Sequence, residues 1–84
     1  MYTVIWAPSA EHELAEIWNN ASDRAEVSAA ANEIDAALAL NPLNFGEARQ
    51  GITRVAFVKP LPVLFDVHED QDKARVWDIW RWPS

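Results

Sequence analysis

The stretch LPVLFDVHEDQDKARVWDIWRW, Leu61 to Trp82, decides the fold. It holds two apolar runs, Val63 to His68 and Ala74 to Trp82, joined by the polar segment Glu69 to Lys73. The first run is rich in Val, Leu and Phe, and the second carries Val76, Trp77, Ile79, Trp80 and Trp82. β-Branched and aromatic runs of this length, split by a charged connector, read as a β-hairpin. Pro60, Pro62 and Pro83 bound it, since none can donate a ladder hydrogen bond. Alternation along the last strand places Trp77 and Ile79 on one face and Val76, Trp80 and Trp82 on the other.

Working outward, Ile52 to Lys59 reads as a further strand, and Leu43 to Gln50, which contains Gly46, reads as a loop. At the other end of the chain Tyr2 to Ala7 is a short strand stopped by Pro8. Between them lie two amphipathic segments. Ser9 is the expected N-cap of the first, with Glu11 and Glu13 in the opening turn, where the helix dipole favours anions. Its apolar stripe is Ala10, Leu14, Ile17, Trp18 and Ala21. Asp23 followed by Glu26 has the form of a capping box for the second helix, whose stripe is Val27, Ala30, Ala31, Ile34, Ala37 and Leu38. Asn41-Pro42 stops it. The order β-α-α-β-β-β over residues 1–84 gives one α+β domain, a mostly antiparallel sheet with a helical hairpin packed on one face. Val63, Phe65 and Val67 should then be buried against Leu14, Ile17, Ile34 and Leu38.

Eighty-four residues support only a small core, and five Trp supply much of its volume. Without Cys, neither a disulfide nor a thiolate metal site can hold the fold. No apolar run approaches the roughly 20 residues of a membrane span, and the opening residues lack the form of a signal peptide. A cytoplasmic protein is the expectation. The net charge of −6 argues against a generic nucleic-acid binder. It is unevenly spread: residues 1–44 hold seven acids against Arg24 alone, whereas residues 45–84 hold six acids and six bases. The acidic half is the solvated surface of the helices.

Conventional catalytic signatures are absent. His12, on the polar side of the first helix, and His68, at a strand end, read as surface histidines without metal-ligand spacing. No Gly-rich loop is available for phosphate. Asp66 and Asp78 lie on facing strands and read as solvent-facing positions rather than a carboxylate pair. One set of hairpin aromatics has to lie on the sheet face the helices leave open, where exposed aromatics mark an interface. Base stacking is the nucleic-acid version of that reading, and the acidic balance disfavours it.

Taken together the chain resembles the RelE/ParE toxins of bacterial type II toxin–antitoxin modules, also known as plasmid stabilisation proteins. The resemblance rests on the opening strand with Ala7-Pro8-Ser9-Ala10 and Glu13-Leu14-Ala15-Glu16-Ile17-Trp18, then Leu40-Asn41-Pro42 and Gly51-Ile52-Thr53-Arg54-Val55. It ends with Val63-Leu64-Phe65-Asp66-Val67 and Arg75-Val76-Trp77-Asp78-Ile79-Trp80. It implies a toxin neutralised by a cognate antitoxin, acting on ribosome-bound mRNA or on DNA gyrase; with no Cys, and His12 and His68 far apart on different elements, neither a metal nor a small-molecule cofactor is expected. Ribonuclease members carry an Arg ahead of the apolar end of the third strand and an aromatic closing it. Here Pro62 stands at the first position and Phe65, without a hydroxyl, at the second. The cations left to stabilise charge in a cleavage reaction are Arg54, Arg81 and Arg49. The departures leave open a relative that acts through protein contacts and cleaves nothing. For the antitoxin, the resemblance and the open face together point to Trp80, Trp82 and Arg75.

Overall fold

The computed structural model describes residues 1–83. Strand β1 (Thr3–Trp6) leads into helices α1 (Pro8–Asn20) and α2 (Arg24–Leu40). A 3-10 turn, Pro42–Asn44, follows, then β2 (Glu47–Gln50), β3 (Thr53–Val58), β4 (Leu61–His68), a second 3-10 turn at Glu69–Gln71, and β5 (Lys73–Ile79). The spatial order is β1-β5-β4-β3-β2. Strand β1 runs parallel to β5, and the other three pairings are antiparallel. Antiparallel neighbours need only short turns. Both helices pack against one face of the sheet, and among the described residues no helix is long and apolar enough to cross a membrane.

Helix α2 ends at Leu40, before Asn41-Pro42 as the sequence suggested, whereas the helix starts lack the side-chain caps it suggested. Helix α1 starts two residues earlier than a Ser9 cap requires, with Ala7 as N-cap and Pro8 at the first helical position. Proline suits that place, because its missing N–H would have had no partner and its φ is already helical. Asp23 does flank α2, but its side chain makes no capping hydrogen bond. A stronger donor takes the carboxylate, as described below.

The core is as the hairpin's apolar pattern predicts. Val63, Phe65 and Val67 are buried with Ile17, Ile34 and Leu38 in one cluster, and Leu14 packs at its margin half-buried. Phe65 is fully enclosed and stacks on Phe45, ring centroids 5.6 Å apart. Ala10 and Ala30 are buried in the same cluster, where their small side chains let the helices sit close to the sheet.

Two features depart from the sequence expectation. Residues 47–50, read as loop, form the fifth strand, β2, paired with β3 at the sheet edge. All four of its residues are exposed, so Glu-Ala-Arg-Gln carries no burial pattern; backbone pairing alone makes it a strand. Gly46 (φ 70°) and Gly51 (φ 60°) supply the left-handed conformations at its two ends. The second departure is in the hairpin. Leu64 pairs with Asp78 and Phe65 with Val76, so Trp77 is an extra residue, a β-bulge. The bulge breaks strict alternation: Val76 and Ile79 both face the helices and are buried, whereas Trp77 and Asp78 are exposed. Simple alternation had grouped Trp77 with Ile79 and Val76 with Trp80. The structure separates both pairs.

Candidate functional site

The face away from the helices follows from the register. Phe65, Val63 and Leu61 lie opposite Arg54, Ala56 and Val58 on the covered side, so Thr53, Val55, Phe57, Pro62, Leu64 and Asp66 share the open one. Beyond Ile79 the chain keeps pairing. The Trp80 N–H donates to the Pro62 carbonyl (3.2 Å) and the Trp82 N–H to the Pro60 carbonyl (2.9 Å). That pairing holds Trp80 and Trp82 on the side of Pro62. Phe57 (54 % exposed), Trp77 (41 %), Trp80 (39 %) and Trp82 (62 %) are all largely accessible. Trp82 and Phe57 line a cleft of about 420 Å³ with Val55, Pro62, Glu47 and Arg49. Exposed aromatics gathered in this way are the mark of a surface made for contact.

Arg81, between the two tryptophans, points the opposite way. Its guanidinium donates two hydrogen bonds to Asp23, Nη1 to Oδ1 at 3.0 Å and Nη2 to Oδ2 at 2.8 Å. This fork clasps the chain after β5 to the start of α2. The Arg81 hydrogen bonds hold the Asp23 carboxyl below the usual carboxylate range.

At the bulge, Asp66 accepts from the Thr53 hydroxyl (2.8 Å) and from the Trp77 indole N–H. The Arg75 guanidinium lies 5.0 Å from the centre of the Trp77 ring, within cation–π reach. Trp77 is therefore fixed in place while still exposed. Asp78 accepts the backbone N–H of Ile79, so it and Asp66 serve separate hydrogen bonds.

The remaining sequence candidates are scattered. Arg54 lies on the helix side and donates to the carbonyls of Phe45 and Gly46, both at 3.1 Å, strapping down the segment that enters β2. Arg49 sits on the edge strand, 3.8 Å from Glu47. With Arg81 held by Asp23, each of the three arginines has its own partner in its own place. Arg75 lies at the β4–β5 turn end of the open face, away from Trp80 and Trp82. His12 is exposed and 3.5 Å from Glu16. Among the described residues no cluster of His, Asp or Glu could hold a metal ion.

Sequence reasoning missed a groove between the helices, about 520 Å³, lined by Trp6, Leu14, Trp18, Val27 and Ala31. Trp18, assigned to the buried stripe, is 40 % exposed there. Its indole donates to Ser28 (3.0 Å), and the Trp6 indole donates to Asp35 (3.1 Å). A tryptophan on the Ala-rich side of a helical hairpin was the available signal.

No family model and no curated protein matches this chain. Solved structures do. A chain of the RelBE2 toxin–antitoxin complex of Mycobacterium tuberculosis superposes with a TM-score of 0.76 at 18 % identity, covering 95 % of this chain and 96 % of that one. The chromosomal ParDE system of P. aeruginosa gives 0.71 at 14 % identity, over 96 % of both chains. The isolated RelE toxin of E. coli gives 0.65 at 10 % identity, over 96 % of this chain and 84 % of that one. Two helices on one face of a five-stranded mixed sheet, matched from end to end, give this chain the fold of the RelE and ParE toxins.

Proposed function

We propose that this chain is the toxin of a bacterial type II toxin–antitoxin module, active in the cytoplasm and neutralised by a cognate antitoxin. The observation that carries this reading is the full-length match to structures of such modules, joined to a sheet face whose aromatics folding leaves uncovered. The antitoxin docks an amphipathic segment on that face, with apolar anchors against Trp80 and Trp82 and acidic residues toward Arg75. Expression of the chain with and without the neighbouring reading frame tests the proposal. Growth arrest relieved by the neighbour is the expected result, and unimpaired growth in both cases would refute it.

One observation favours a second reading of the target. Arg49, Arg54 and Arg81 are each engaged elsewhere, and Phe65 is fully buried and has no hydroxyl. Phosphodiester cleavage needs a proton-transfer group and convergent cations, and these three arginines do not converge. A toxin working through protein contacts, on a gyrase-type target, fits this arrangement better than cleavage of ribosome-bound mRNA. A ribosome-stalled mRNA incubated with the purified chain should stay intact; codon-positioned cleavage lost in Arg54→Ala or Arg81→Ala would restore the enzymatic reading.

A further inference from the structure

His68, Lys73 and Arg75 surround a small pocket on the open face, closed by Ile5 and Gln71 and about 110 Å³ in volume. Three strands build it. Lys73 of β5 sits between Thr3 of β1 and His68 of β4, and Arg75 sits between Ile5 and Asp66. The wall is therefore regular sheet, with positions fixed by the ladder, while Gln71 comes from the β4–β5 turn.

Charge makes this pocket unusual. The chain carries 13 acids against seven Lys and Arg, so cations have carboxylates in plenty to pair with. Yet His68, Lys73 and Arg75 make no ion pair with any other described residue. None of the pocket's lining residues is acidic. Asp66, in the same row as Arg75, already accepts from Thr53 and from Trp77. Arg75 is steadied by the Trp77 ring, so its fork is partly ordered before any ligand arrives.

We propose that His68, Lys73 and Arg75 form a phosphate-binding site. A carboxylate offers two oxygens in one plane, which the Arg75 fork alone would satisfy. A phosphate offers three or four oxygens in a tetrahedron, and guanidinium, ammonium and imidazole approach here from neighbouring strands. The volume is that of roughly four water molecules, enough for a phosphate group and too small for a nucleoside. Any sugar or base attached to that phosphate would lie outside, along the face that carries Trp77. This site lies at the turn end of the sheet, away from Arg49 and Arg81, and does not depend on the toxin reading.

The test is a titration of the isotope-labelled chain, followed by NMR at ionic strength held constant with chloride. Inorganic phosphate is one probe and a nucleoside 5′-monophosphate the other. Saturable shifts centred on His68, Lys73 and Arg75 are expected with both. A nucleotide that binds more tightly identifies a nucleic-acid or nucleotide source, and equal affinities identify free phosphate. Lys73→Gln and Arg75→Gln should each weaken binding about tenfold, with thermal midpoints unchanged, while Lys59→Gln on the β3–β4 turn should not. Absence of saturable shifts with either probe would overturn the assignment. So would affinity retained in the Lys73→Gln/Arg75→Gln double variant.

Discussion

The two faces of the sheet are built from the same strands and carry similar side chains, yet they end in opposite states. On the helix side Leu61, Val63, Phe65, Val76 and Ile79 are fully enclosed. On the other side Phe57, Trp77, Trp80 and Trp82 stay between 39 % and 62 % exposed. Burying large apolar groups is the main favourable contribution to folding. The covered face shows that the chain can enclose such groups, so aromatics left on the open face answer to something other than stability. The polar contacts divide in the same way. Arg81 and Arg54, directed to the helix side, tie segments of this chain together. Arg75, Lys73 and His68, on the open side, tie nothing together.

This contrast makes predictions that can break it. Phe65→Ala on the covered face should cost about 3–5 kcal/mol, a large share of the stability of so small a domain, and a thermal melt would show it. Trp80→Ala on the open face should leave the melt nearly unchanged and weaken antitoxin binding about thirtyfold, roughly 2 kcal/mol. If Trp80→Ala unfolds the chain, the two faces are not functionally distinct.

The two glycines beside β2 sharpen the comparison. A Cβ at Gly46 would collide with the Val55 carbonyl and lie 2.8 Å from the Ala56 Cβ, whereas one at Gly51 would meet nothing. Gly46→Ala should therefore cost roughly 1–3 kcal/mol from strain and overpacking. Gly51→Ala should cost about 1 kcal/mol, from the left-handed backbone alone. Equal losses in chemical denaturation would count against the close approach of residue 46 to β3.

The smallest effect concerns the clasp. Asp23 is held below the ordinary aspartate range by Arg81, so the folded state binds its proton less readily than the unfolded chain. Its contribution is present above the unfolded value near pH 4 and is lost as pH falls through the lower folded value. Asp23→Asn should flatten the pH dependence of the melting temperature in that acid range and leave the neutral-to-basic range parallel to the parent. A parent and variant that lose stability identically on acidification would mean the clasp does not couple to folding.

Most of the covered face was legible in the sequence, because burial on one side writes period-2 and helical stripes into the chain. Val63, Phe65 and Val67 were placed correctly for that reason. Strand β2 was not legible, since Glu47–Gln50 bury nothing and owe their conformation to the neighbouring strand. Nor was the bulge at Trp77: a one-residue offset between β4 and β5 leaves no trace in composition, yet it reverses the facing of every later residue. The Asp23–Arg81 fork joins residues 58 apart and has no local signal at all. Of the site, the aromatic content was readable and its grouping was not. The arginines were readable only as candidates, because their partners are set by tertiary packing.

The indole N–H groups offer the most direct test of the two-face account. Trp6 and Trp18 report from the helical groove, where their indoles bind Asp35 and Ser28. Trp77, Trp80 and Trp82 report from the open face. The five indole signals of the labelled chain can be followed by NMR while the protein encoded by the neighbouring reading frame is added. The account predicts that Trp80 and Trp82 shift most and Trp77 follows, with Trp6 and Trp18 unmoved. Large shifts at Trp6 and Trp18 with Trp80 and Trp82 unchanged would place the partner on the helices and contradict it.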